Sequence, residues 1–392
     1  MEESRYSKGL AGVIADESRI FLVDGERGKL YYYGYAIEDI VERKSYDETV
    51  YLLIHGKFPT PEELADHRRK TAAASALPGW LIDTIRAIPP ERHPMEVLQA
   101  VLPLMGGVRP TELRVDRRSE PDGTKRSEVA GFDAQRDELV RLLARIPTVV
   151  ACYHRLRHGE EPVAPDRDLT ILANFLYMFH GARAPERDVE IFEICEILQM
   201  EHGFNASTFT ARVVASTLSP LATSLSAATG ALYGKLHGGA DEAAFRMARD
   251  DIGGPGEAEA WVRDTLARGG KIMGMGHRVY RTLDPRARIL KTLALELVGG
   301  KGGEKESILR TLVRVEEVMA AVLREKGKDI HPNVEFYKGP VFHALDIPTE
   351  YFTALFVIAR AAGWGAHVLE LWGDHRIYRP RAQFIGDVDK EI

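Results

Sequence analysis

Val189-Glu190-Ile191-Phe192-Glu193-Ile194-Cys195-Glu196-Ile197-Leu198 is the stretch on which the fold class turns. Val189, Ile191, Phe192, Ile194, Cys195, Ile197 and Leu198 make a broad apolar stripe on a helix. Further along, Ile308, Leu312, Val315, Met319 and Val322 recur at the same period, with Arg and Glu on the opposite face. Towards the N-terminus, Asp47 to Ile54 is apolar at helical spacing and stops at His55-Gly56. Thr60-Pro61-Glu62-Glu63 then supplies an N-cap, a proline at the first helical position and a capping-box acid. His93-Pro94-Met95-Glu96 starts another helix. Only the first segment reads as β: Arg19 to Val23 and Lys29 to Tyr33 flank Asp24-Gly25 and Gly28 as a short hairpin. Short apolar strands do not alternate with helices anywhere. The fold class is mainly α, with a small N-terminal β hairpin.

Composition narrows the function. The chain has 392 residues, 45% hydrophobic and 28% charged, the balance of an ordinary soluble globular protein. At ~150 residues per domain it holds two or three domains. Fifty-two Lys and Arg against 58 Asp and Glu give a formal charge of -6, which argues against nucleic acid as a partner. Cys152 and Cys195 build neither a disulfide framework nor a four-cysteine zinc site, and they suit a reducing cytoplasm. No signal-peptide pattern opens the sequence. Val213 to Gly234 carries no charge, yet its Pro220, Gly230 and seven Ser or Thr side chains suit a buried small-residue helix surface better than a membrane.

Other features read as structure. Gly106 to Glu128 is polar, with Pro110, Pro121 and Asp122-Gly123, and reads as a mobile surface loop. Gly299 to Gly303 lacks Walker spacing and a preceding strand, so it reads as a helix connection. Among thirteen histidines, His154 and His158 stand four apart but mark a basic helix end, and no metal is expected.

Four sites place polar groups where helices break beside glycine. Glu201-His202-Gly203-Phe204-Asn205-Ala206-Ser207 follows the opening helix, with Asn205 or Ser207 able to cap the next. Leu236-His237-Gly238-Gly239-Ala240 ends the charge-free stretch. Gly274-Met275-Gly276-His277-Arg278-Val279-Tyr280 leads to Asp284-Pro285-Arg286, and His331-Pro332-Asn333-Val334-Glu335-Phe336-Tyr337 follows the 308–322 helix. Together they point to a cleft.

With Ala359 to Trp364 and Arg379-Pro380-Arg381, these motifs in this order resemble the citrate synthase family from about Gly9 to Gly386. The resemblance implies a two-domain helical fold: a large domain over 1–232 and 341–392 around a small domain over 233–340, with hinges near Gly234 and Gly339. It implies an acyltransferase that condenses acetyl-CoA with oxaloacetate, without a tightly bound cofactor. Glu335 then matches the base, His237 faces the thioester oxygen and His277 polarises the 2-oxo carbonyl. His202, Arg286, Arg360 and Arg379 match substrate contacts, with Arg379 crossing to the second subunit of a homodimer. Lys271, Gly274, Gly276 and Lys328 stand as candidates for CoA.

The residue types suit this chemistry. A thioester α-C–H is a weak acid, so its removal needs a placed carboxylate and a donor to the enol oxygen. Guanidinium forks suit a dicarboxylate. The sequence departs from the family pattern where Glu335 replaces an Asp, Lys338 a Ser, Asp241 an Asn and Lys235 a Pro, and the Gly106 to Glu128 segment is longer than usual. Two alternatives remain open at this level. One is a 2-methylcitrate synthase using propionyl-CoA; the other is a weakly active paralogue that binds acyl-CoA or a dicarboxylate.

Overall fold

The structure, a computed structural model, describes residues 7–107, 109, 112–119, 125–276, 280, 282–325, 327 and 330–390. Sixteen α-helices lie among the described residues, and the strands are short. The fold is mainly α, as expected.

The local signals act where they stand. Ser45 and Glu48 form a reciprocal capping box at the head of helix Tyr46–His55, and Gly56 ends it in the left-handed region. Thr60 Oγ1 accepts the Glu63 N–H at 3.2 Å while the Thr60 N–H reaches Glu63 Oε2 at 2.9 Å, opening helix Pro61–Ala74. His93 and Glu96 repeat the device at Pro94–Val101. Each such cap satisfies donors that a helix start otherwise leaves open, worth about 1 kcal/mol. The opening stretch lies in helix Glu186–Ile197, with Ile191, Phe192, Cys195 and Ile197 buried. Helix Gly303–Glu325 buries Ile308, Leu312, Val315, Met319 and Val322.

The chain packs as two compact units. The first comprises Met1–Ala65, Glu190–Gly203 and Asp241–Thr349. Its sheet pairs Phe21–Asp24, Lys29–Tyr32 and Tyr35–Ala36 antiparallel in sequence order. This sheet braces two loops. The Tyr32 hydroxyl donates to Ile197 O at 3.0 Å and accepts the Glu201 N–H at 3.2 Å, fixing the chain on the approach to His202. Gly28 lies against the loop before Asp284: a Cβ there would come within 2.6 Å of Thr282 Oγ1 and 2.9 Å of Leu283 O. Helix Pro285–Val298 packs on helix Val334–Ala344, and helix Ala258–Ala267 on Gly303–Glu325. Residues 299–303 connect two helices, as read from sequence. That loop holds an anion of its own: the N–H groups of Gly300 and Gly302 donate to the Glu306 carboxylate at 3.0 and 2.5 Å. Those bonds, with Arg310, draw the Glu306 pKa down to about 2.

The second unit comprises Asp66–Val189, Phe204–Ala240 and Glu350–Ile392. Its axis is helix Phe352–Gly373, packed by helices Phe132–Arg157, Ala206–Ala215 and Leu221–Tyr233. Residues Thr349–Gly373 are long and apolar enough to cross a membrane, but the apolar window is wholly buried inside the protein. The charge-free stretch breaks at Ser216 to Pro220 between two helices, and its hydroxyls bond internally, Ser226 to Gln99 O at 2.7 Å and Thr229 to Leu225 O at 2.9 Å. Packing thus gathers the N-terminal sheet with residues 241–349, where the resemblance alone leads to a division at 232 and 340. Gly234 caps a helix end, whereas Gly339 lies buried inside helix Val334–Ala344 beside Pro340.

One reading needs correction. The polar segment 106–128 is not simply loop: Val115–Ser119 pairs antiparallel with Lys125–Val129. Val115 faces Val129 across the ladder, and Val129 is fully buried. The remaining strand positions are largely charged or polar, which disguises a strand as a solvated loop. Tertiary packing supplies the rest, since the second strand lies against helix Phe352–Gly373.

Candidate active site

The predicted site residues divide between the two units. In the second unit, helix Ala206–Ala215 starts on Asn205, whose side chain accepts the Thr208 N–H at 3.0 Å. That cap presents the Ser207 N–H to His237 Nε2 at 3.2 Å. An N–H aimed at Nε2 requires a lone pair there, so the neutral ring carries its proton on Nδ1. The Ser207 hydroxyl stands 2.8 Å from the same nitrogen and accepts the Trp364 indole N–H at 3.1 Å. Burial, then the positive charge of Arg360, lowers the His237 pKa to about 4. The imidazole is therefore neutral at neutral pH, with Nδ1–H available as a donor.

Arg360 is 2% exposed, on the buried helix Phe352–Gly373, with its guanidinium carbon 4.6 Å from the centre of the Phe356 ring. A solvated surface charge is excluded there. Arg379 is exposed on the tail after Gly373. Its neighbour Tyr378 is anchored: the Tyr378 N–H donates to Ser216 Oγ at 3.1 Å, and its hydroxyl accepts from Arg212 Nε at 3.0 Å. Arg212 is itself buried and bonds Glu370 at 3.1 Å.

In the first unit, two predicted motifs meet. Met275 bridges Pro332 antiparallel, the Gly276 N–H donates to His331 O at 2.8 Å, and the Asn333 N–H to Gly274 O at 3.0 Å. Asn333 caps helix Val334–Ala344 by accepting the Glu335 N–H at 3.0 Å, while its amide donates to Gly276 O at 3.0 Å. Glu335 thereby sits in the first turn, where the helix dipole favours a carboxylate. Gly274 has φ +74°, and a Cβ there would meet Phe336 Cδ2 at 2.8 Å. Lys271 is exposed on the approach to this loop.

A second cluster gathers His202, Tyr280, Asp284 and Arg286. His202 Nε2 lies 3.3 Å from the Tyr280 hydroxyl, and the Arg286 guanidinium carbon 5.8 Å from the Tyr280 ring centre. Asp284 caps helix Pro285–Val298 through the Arg286 N–H at 3.0 Å. Its carboxylate also takes Arg286 Nε at 3.0 Å and an Nη at 2.8 Å. Burial opposes the Arg286 charge, but Asp284 outweighs it and the Arg286 pKa is raised. Asp284 thus occupies one edge of the guanidinium fork. Burial also raises the Tyr280 pKa, keeping the phenol protonated as a donor.

His277 and Lys328 lie outside the described residues. Among the described residues no group of three or more His, Cys, Asp or Glu stands ready to hold a metal. His154 and His158 end helix Phe132–Arg157 as read: His154 stacks on Phe179 at 3.7 Å, and burial, followed by His158, lowers its pKa to about 3. Sequence reasoning missed Ser207, Tyr280 and Asn333 as working residues. All three stand inside the quoted motifs, but the thirty-residue link from Ser207 to His237 has no local signature.

Over residues 9–381 the chain matches the family model described as citrate synthase, C-terminal domain. It is 38% identical to a citrate synthase of Deinococcus radiodurans, covering 99% of this chain and 97% of that one. It is 38% identical to 2-methylcitrate synthase 2 of Corynebacterium glutamicum, covering 98% and 96%. A solved citrate synthase of Thermoplasma acidophilum, in ternary complex with carboxymethyl coenzyme A and oxaloacetate, superimposes with a TM-score of 0.87 at 29% identity over 99% and 98%. The chain belongs to the citrate synthase family.

Proposed function

We propose that this chain condenses acetyl-CoA with oxaloacetate to give citrate and free CoA, in a reducing cytoplasm and as a homodimer. The observation that carries the reading is the His237 arrangement: a half-buried neutral imidazole whose Nε2 is held by the Ser207 N–H, leaving Nδ1–H to donate. In this reading Glu335 removes a proton from the thioester methyl group while Nδ1–H of His237 stabilises the enol oxygen. The enol carbon then adds to the 2-oxo carbonyl, polarised by His277. Water cleaves the resulting thioester and releases the CoA thiol. His202, Arg286 and Arg360 take the substrate carboxylates and keto group, and Arg379 comes from the second subunit. Gly274 and Gly276 let the CoA approach the backbone, with Lys271 and Lys328 beside its phosphates. No cofactor is consumed.

A second reading, propionyl-CoA in place of acetyl-CoA, is favoured by the 2-methylcitrate synthase relative, which is as similar as the citrate synthase one. One methylene discriminates by only ~1–3 kcal/mol, so both thioesters belong in the test. Thiol release is measured with oxaloacetate and either acetyl-CoA or propionyl-CoA. Acetyl-CoA is expected to have the higher kcat/KM, and Glu335→Gln to lose turnover while still binding oxaloacetate. Folded protein that binds oxaloacetate but releases no thiol from any short acyl-CoA is a binding paralogue instead.

A further inference from the structure

Lys338 Nζ and Asp241 Oδ2 lie 2.9 Å apart, with both side chains fully buried. Lys338 sits one turn along helix Val334–Ala344 from Glu335, and Asp241 in the first turn of helix Ala240–Arg246. The second Asp241 oxygen accepts the Glu242 N–H at 2.8 Å. Taking both charges from water is costly, and an apolar pair of the same volume is often as stable or more so. Stability alone gives no reason for such a pair. A fixed register does.

The two helices close around the 274–276 loop: a Cβ on Gly274 would fall 3.2 Å from Ala244 Cβ and 2.8 Å from Phe336 Cδ2. The ion pair spans from one helix to the other. Asp241, Glu335 and Lys338 are also three of the positions at which the sequence leaves the family pattern, and two of them touch. A Glu reaches one methylene, roughly 1 Å, further than an Asp, and a misplacement of that size can cost about 100-fold in rate. We propose that the Lys338–Asp241 pair is a positioning device, holding helix Val334–Ala344 at the setting where a Glu at 335, and not an Asp, places its carboxylate on the reacting proton.

This rests on the reading of Glu335 as the base, so Glu335→Gln is measured alongside. The test compares kcat and KM for acyl-CoA after Glu335→Asp in the native background and in Asp241→Asn/Lys338→Ser. In the native background Glu335→Asp is expected to lower kcat by about 10- to 100-fold. In the paired background the same change is expected to lower kcat by less than about a tenth as much, or to raise it, with oxaloacetate binding unchanged. Asp241→Asn/Lys338→Met, which fills the lysine's volume, provides a second background should the serine variant fail to fold, and it must give the same relief. An equal Glu335→Asp penalty with and without the pair overturns the proposal, since a merely structural pair lowers all variants alike. Turnover retained in Glu335→Gln removes the base reading and the proposal with it, and is told apart because that variant keeps the pair.

Discussion

At the residue scale His237 makes the firmest claim. Its folded pKa of about 4 lies below the ordinary 6.5, so the folded state binds the proton less well than the unfolded chain. The sign follows: this stabilisation is fully present above pH 6.5 and is lost as pH falls from 6.5 through 4. The whole effect is at most about 3 kcal/mol. In His237→Asn, the acid-side loss of stability over that window should shrink by up to this amount, read from urea unfolding at pH 7, 5.5 and 4.5. Histidine-selective NMR should place the Cε1–H titration midpoint near 4, with the resonance assigned by its absence from the variant. A midpoint near 6.5 would mean that burial and Arg360 do not act on the ring, and the account of its neutral state would fall. None of this was readable from Leu236-His237-Gly238, where a lone histidine beside glycine has many ordinary explanations.

At the element scale, the loop of Gly274 to Gly276 and the helix of Glu335 act as one part, tied by the Met275–Pro332 bridge and the two-way bonds of Asn333. Gly274→Ala forces a side chain into the left-handed region and against Phe336. We expect it to cost roughly 1–3 kcal/mol in denaturant unfolding. Turnover should drop about 10- to 100-fold as the first turn of the Glu335 helix shifts. Oxaloacetate binding, which the proposed reading gives to His202 and Arg286, should persist, and calorimetric titration checks that half. How much of this was legible divides by range. Caps at Thr60, His93 and Asn205 stand next to the helices they start, so their chemistry shows in sequence. The 115–129 hairpin did not show, because charged residues fill most positions of its two strands and what sets the register is Val129 packing from far along the chain. The Lys338–Asp241 contact was equally hidden. Each was visible as a departure from the family motif, but only the fold brings them within 2.9 Å.

At the scale of the whole molecule, the net charge of -6 and the anionic ligands are reconciled by burial. Arg286 and Arg360 are each 2% exposed, so neither makes a basic surface; Arg286 is paired with Asp284, while Arg360 is a positive charge felt by His237. Arg379 is the exception, exposed on a tail whose neighbouring Tyr378 is pinned through Arg212 and Ser216. A guanidinium held at a defined place on the surface suits use by a second copy of the chain, the role the homodimer reading gives it. Two inactive variants test this. Arg379→Ala lacks the donated arginine, and Glu335→Gln lacks the base, so each alone should show little turnover. Denatured together in equal amounts and refolded, about half of the resulting dimers are mixed. In each mixed dimer one site carries both defects and the other carries neither, so about a quarter of native activity should return. If Arg379 served its own subunit, both sites of a mixed dimer would keep one defect each and no activity would appear. Recovery that follows the square of protein concentration at low concentration would tie the result to dimer formation rather than to residual activity in either variant.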